Sequence, residues 1–305
     1  MPDPGRAESG GALPPGAVAV ILLLSALWGL NMVAVKLASA GMPPVLQAGL
    51  RSVLAALLVP LLCRPLGMRF GAWRQPGVLW AGIAAGVIFA LEFILLFIGI
   101  GLTTASRGVV FLYGAPFWVA LGTHWLVPGD RLTRAKALGL GIAFGGLLLA
   151  FADGLRAPAG PDALRGDLLC LAGGALWAAT TVLVKASPLR HAAPAFVLQV
   201  QLVVSAPLLL LASPLLGEAW RIDPQPLAIG AFLYQAAIVA GASYLAWFWL
   251  VSRHSASRLA AFSVLTPVFG VLAGALLLGE RLGTGFLLAV VLVAIGLWLV
   301  NRPAR

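Results

Sequence analysis

The chain has 305 residues, of which 61% are hydrophobic and 10% charged, with a formal net charge of +10. Soluble domains carry about 25% charged residues, and this much apolar surface cannot be hidden in a water-soluble core. The Arg and Lys sit mostly in short loops between apolar runs, where positive-inside topology accounts for them, so no nucleic-acid partner is expected.

In chain order, residues 1–16, rich in Pro, Gly and Ala, read as a disordered tail. Apolar runs then predict ten helices: Ala17–Ala38, Pro44–Leu62, Gly77–Ile100, Thr104–Val127, Ala137–Phe151, Leu168–Ala186, Ala193–Leu211, Pro226–Val251, Leu259–Leu278 and Gly283–Val300. Their lengths suit a hydrocarbon layer about 30 Å thick. The first run is too long for the apolar core of a signal peptide, and no cleavage site follows it, so it is expected to stay as an uncleaved helix. No segment alternates as a barrel strand must, which leaves an all-α, polytopic membrane protein. Cys63 and Cys170, at the end of one span and inside another, suggest neither a disulfide framework nor a zinc site.

The chain also repeats itself. Ala26-Leu27-Trp28 and Lys36 return 149 residues later as Ala175-Leu176-Trp177 and Lys185. Ala105-Ser106-Arg107, Phe111 and Pro116 return 151 residues later as Ala256-Ser257-Arg258, Phe262 and Pro267. Gly129-Asp130-Arg131-Leu132 returns as Gly279-Glu280-Arg281-Leu282. A five-helix repeat over 17–151 is thus followed by a linker over 152–167 and a second repeat over 168–300. The loops with Arg64, Arg69 and Arg74, with Arg131, Arg134 and Lys136, and with Arg190 and Arg253 are expected in the cytoplasm, together with both termini. Five spans per repeat then turn the second repeat upside down relative to the first, an arrangement with two equivalent ways to tilt.

Small residues four apart, Gly82 and Gly86, Gly141 and Gly145, Gly270 and Gly274, are expected at helix contacts. Glu92 stands about fifteen residues into its helix, roughly 22 Å at 1.5 Å per residue. Arg51 lies roughly 10 Å deep from the other side, at nearly the same level in a layer about 30 Å thick. A carboxylate there must pair with Arg51 or Arg107, couple to protons, or contact substrate, for instance an ammonium group. Lys36 and Lys185, near helix ends, are expected to reach headgroups or water. Trp28 and Trp177, at mid-helix, are candidates to line a central cavity, with Asn31, Tyr113, Tyr244 and Gln235 as further substrate contacts and Trp247 adding aromatic surface. Pro116 and Pro267 each remove one helical hydrogen bond, making matched bends where gating is expected. His124, His191 and His254 have no partner at metal-ligand spacing, and no phosphate loop is present; no catalytic residue, metal or cofactor is expected.

Trp28-Gly29 with Asn31 and Lys36, Arg51, Thr103-Thr104-Ala105-Ser106, Pro116, and the Gly-Asp/Glu-Arg motifs after helices four and nine resemble the EamA-type family of the drug/metabolite transporter superfamily. Asp130 stands where Glu is commoner. The resemblance implies ten helices in inverted five-helix repeats and export of small metabolites, amino acids with broad specificity foremost, across a bacterial inner membrane. A drug or nucleotide-sugar carrier, or a non-transporting membrane enzyme or scaffold, remain the alternatives. Small-molecule substrate and lipid are the expected partners; oligomeric state is open.

Overall fold

The structure, a computed structural model, describes residues 12–64, 71–156, 158, 160–278 and 285–302. Each expected helix is helical, and among the described residues there is no strand. The long helices are α1 (Pro15–Ser39), α2 (Pro44–Cys63), α3 (Val78–Leu102), α4 (Ala105–Leu126), α5 (Arg134–Ala150), α6 (Ala163–Ala186), α7 (Pro194–Leu215), α8 (Pro226–Arg253), α9 (Ala256–Leu277) and α10 (Phe286–Asn301). Eight of them are long and apolar enough to cross a membrane; α5, with 17 residues, and α10, with 16, are shorter.

Two expectations at the repeat edges change. Residues 1–11 of the expected tail lie outside the described residues, but Leu13 is buried, its amide donates to Asn301 Oδ1 at 2.7 Å, and helix starts at Pro15. Much of the expected linker is helical too: Ala152–Arg156 makes a short turn of helix, and α6 starts at Ala163. Asp167 can sit inside α6 because Arg107 and Thr103 satisfy its carboxylate. The Gly279-Glu280-Arg281-Leu282 motif lies outside the described residues.

The helices pair in a pattern that survives exchange of the two halves. Helix α2 packs along α7, and α5 along α10. The contacts of α3 with α6 and α7 match those of α8 with α1 and α2, and α4 on α6 matches α9 on α1. Both α4 and α9 are broken: α4 runs Ala105–Leu112 then Ala115–Leu126, and α9 runs Ala256–Phe262 then resumes at Leu265. Pro116 and Pro267 follow these breaks directly. Having no N–H, neither can donate to the carbonyl four residues back, that of Leu112 or Ser263, and the Ser263 carbonyl accepts from the Thr266 N–H at 2.9 Å instead. Expected bends are therefore short interruptions. Matched N-caps start the two helices, with Thr104 Oγ1 accepting from the Arg107 N–H and Ser255 Oγ from the Arg258 N–H, each at 3.3 Å. Helix α8 widens into a π-helical stretch over Tyr234–Ser243, a distortion that collects at functional sites.

Close backbone approach holds the pairs together, as lipid supplies no hydrophobic drive between helices. Gly82 and Gly86 abut Val200 and Val204 of α7, and Gly270 abuts Met32 of α1, as expected. Gly141 and Gly145 do not: nothing lies within 4 Å of a Cβ there. The next face of the same helix makes the contact instead. A Cβ on Gly139 would stand 2.6 Å from the Gly296 carbonyl oxygen, and one on Gly296 2.4 Å from that of Gly139. Four-residue spacing identifies a smooth face without saying which face meets a neighbour. Gly296→Val should therefore destabilise the α5–α10 pair by about 1–3 kcal/mol, the usual range for overpacking, and lower the melting temperature in detergent. Gly141→Val should leave it unchanged.

Candidate functional site

A cavity of about 620 Å³ lies between the halves. Helices α1, α5 and α9 reach it near their C-terminal ends, through Lys36, Phe151 and Gly274, and α4 through its N-terminal Ala105 and Ser106. Of the lining residues here, Lys36 and Ala105, with Ile100 near the end of α3, are exposed and mark its mouth. Its far end is walled by Trp177, Thr180 and Thr181 of α6 and by Trp247 and Phe248 of α8.

Aromatic rings form that wall in a continuous series. Tyr113 meets Trp177 edge-on at 6.1 Å, Trp177 meets Trp247 at 6.4 Å, and Trp247 meets Trp28 at 5.6 Å. Trp28 continues to Tyr244 at 6.3 Å, and Tyr244 to Phe89 at 6.0 Å. Trp28 also donates its indole N–H to Ser243 Oγ at 2.9 Å, which fixes its ring plane. The π-helical stretch ends at that serine, so the distortion in α8 sets the position of a central ring. Rings packed edge to face hold one another rigidly and offer flat apolar surface with polar rims.

Two ionisable groups face the same space. Arg51 is 2% exposed and Glu92 7%. Both line the cavity, yet no ion-pair contact within 4 Å joins them; the described ion pairs are Arg107–Asp167 and Lys136–Asp130. The Arg51 guanidinium lies over the Phe93 ring, 4.6 Å from its centroid. Nε and Nη2 of Arg51, Oε2 of Glu92, Oδ1 of Asn31 and Oε1 of Gln201 are buried without a hydrogen-bond partner. More than nine in ten buried polar groups find one, so four such side chains around one cavity set it apart from the packed interior.

At the end of the bundle away from the mouth, a polar cluster ties the loop after α4 to the start of α9. Asp130 accepts from Lys136 Nζ at 2.8 Å, from the Ser257 N–H at 3.0 Å and from Ser255 Oγ at 2.8 Å. Lys136 also donates to Ser257 Oγ at 2.8 Å, and Arg258 Nη2 to the Arg302 carbonyl at 3.1 Å. The cluster joins first-half residues to second-half residues and shuts that end.

Of the residues expected from sequence, the structure brings Trp28, Asn31, Arg51, Glu92, Tyr113, Trp177, Tyr244 and Pro267 to the cavity. It does not bring Gln235, 1% exposed, whose Nε2 donates to the Ala34 carbonyl at 3.4 Å. Arg107 turns away to clasp Asp167 with Nε and Nη2, so it is not the partner of Glu92. Pro116 is buried beside its break, off the lining. Sequence reasoning missed Gln201, Thr180, Phe89 and Phe93. The repeat held a signal for two of them: Gln201 stands 150 residues after Arg51, and Thr180 stands 149 after Asn31.

The model of the EamA-like transporter family matches residues 16–152 and again residues 164–302. The chain belongs to the EamA-like transporter family. It is a multi-pass membrane protein, and this family is one of transporters, not enzymes. Among curated relatives, a protein of Salmonella typhimurium called a probable amino-acid metabolite efflux pump is 32% identical over 93% of this chain and 96% of its own length. An Escherichia coli protein of the same name is 30% identical, over 91% and 92%. A crystal structure of a protein 19% identical in sequence superposes with a TM-score of 0.80 over 93% of this chain and 96% of that one, which shows the shared fold. The EamA-like halves thus meet around an aromatic, sparsely charged cavity.

Burial alone would raise the Asp130 carboxyl, but the Lys136 ammonium and the hydrogen bonds from Lys136 and Ser257 outweigh it and hold the group below the ordinary carboxylate range. A depressed folded-state value stabilises the fold above the unfolded value, about 3.9 for Asp, and the gain is lost as pH falls through the folded value. The melting-temperature gap between the unaltered protein and Asp130→Asn in detergent should hold steady from about pH 7 to pH 5 and close only below about pH 4. A gap already narrowing near pH 6 would contradict the cluster's charge assignment.

Proposed function

We propose that this chain exports small metabolites, amino acids with broad tolerance foremost, across a bacterial inner membrane by alternating access. The cavity carries this reading: it lies between two related halves, open at one end and shut at the other by the aromatic wall and the Asp130 cluster. Its volume falls in the range of about 300–1,000 Å³ typical of small-molecule sites. The loop charges argue for cytoplasmic termini. With that orientation the mouth faces the periplasm, and ten crossings, α5 and α10 included, make the halves inverted copies. Rocking them about the cavity would close the mouth and open the cluster.

Amino acids are favoured by the names of the bacterial relatives and by the lining, which is mostly apolar with a few polar groups. A nucleotide-sugar carrier would want several basic residues in the cavity, and Arg107 is already committed to Asp167. Counterflow in proteoliposomes is the test. Vesicles loaded with unlabelled amino acids should accumulate labelled amino acid faster than protein-free vesicles. Movement of a nucleotide sugar alone would overturn the substrate, and movement of no solute would overturn the carrier. Pro116→Ala and Pro267→Ala give back the missing N–H and favour continuous helix across each break. Transport should fall about fivefold or more while membrane levels stay within about twofold, if the breaks act as gating hinges. Equal loss of both would remove that role.

A further inference from the structure

Arg51 and Glu92 are buried, oppositely charged in their ordinary states and aimed into one cavity, yet they do not clasp each other. Taking each out of water costs several kcal/mol unless a counter-charge replaces the lost hydration. The atoms left without partners on Arg51 are Nε and Nη2. These two form one edge of the guanidinium, the edge with which Arg107 clasps both oxygens of Asp167 elsewhere in this molecule. Phe93 covers the guanidinium face, and Arg51 lines the cavity. Planar, two-point geometry of this kind matches a carboxylate. Glu92, which also lines the cavity, carries a carboxylate, an acceptor suited to an ammonium N–H.

We propose that the cavity binds the head group of a zwitterion, its carboxylate on the Arg51 guanidinium and its ammonium on the Glu92 carboxylate, with the substituent against the rings of Trp28, Trp177 and Trp247. This assignment rests on the reading of the chain as a carrier of amino-acid-like solutes and narrows it. A free α-carboxylate and a free α-ammonium are both required, and large apolar or aromatic substituents are preferred. Asn31 and Gln201 add two amide groups to the same lining.

The test titrates the purified full-length protein with L-phenylalanine, its methyl ester and N-acetyl-L-phenylalanine, with L-leucine as a second zwitterion. Both zwitterions should bind, and each blocked derivative should bind about tenfold more weakly or worse, the scale of one lost charge-assisted contact. In Arg51→Gln the penalty for the methyl ester should vanish while that for the N-acetyl compound persists; in Glu92→Gln the reverse should hold. Equal binding of all probes, binding of no zwitterion, or either variant keeping the unaltered discrimination would overturn the assignment. So would Glu92→Gln abolishing pH dependence while still rejecting the N-acetyl compound, which would mark a proton site instead. Should a variant fail to fold, the ligand series on the unaltered protein decides. Vesicles that move some other solute while zwitterions fail to bind would overturn the head-group assignment alone; vesicles that move nothing would overturn the carrier reading as well.

Discussion

Polar groups inside lipid need protein partners, and in this molecule the partners come repeatedly from the other half of the chain. Arg107 finds Asp167, Asp130 and Lys136 find Ser257, and the Trp28 indole finds Ser243. Glu218, from the second half, accepts the Val45 and Leu46 amides at the start of α2, each at 2.9 Å. Asn301 does the same for the Leu13 amide. An unsatisfied group in hydrocarbon costs several kcal/mol, so these contacts hold the halves in register where small-residue packing alone would let them slide. The requirement that fixes the assembly also exposes its exception. Arg51 and Glu92 have no such partner, and the cavity lies in front of both.

The repeat makes the frame and its decay makes the site. Helix pairings survive exchange of the halves, and so do the breaks in α4 and α9 and the caps that precede them. Equivalent cavity positions have drifted apart chemically. Arg51 stands opposite Gln201 and Asn31 opposite Thr180, whereas Trp28 and Trp177 remain alike. A cavity lined by two identical halves would have no electrostatic direction from one half to the other. One with Arg and Glu in the first half and amide and hydroxyl in the second can orient a solute.

The two ends of the cavity differ in the same way. Asp130 gathers a lysine, two hydroxyls and a backbone amide into one buried cluster at the shut end. Around the mouth, Ser106 occupies the position equivalent to Ser257, and it lines open space. The hydrogen-bonded part of this closed end can be undone at modest net cost, because water replaces each bond as the cluster opens.

Sequence by itself determined the helices, the doubled frame and most of the ring residues of the cavity, since long apolar runs, a recurring offset and mid-span aromatics are each local or periodic signals. It also marked Arg51 and Glu92, because ionisable residues stand out in apolar runs. The tertiary structure alone decided which faces meet. Gly139 rather than Gly141 touches α10, Gln235 turns to a backbone carbonyl, and Arg107 is spent on Asp167 while Arg51 is not. Spacing along a helix fixes the angle between side chains but not the rotation of the helix against its neighbours; that is set by packing and by where each buried charge finds its counter-charge.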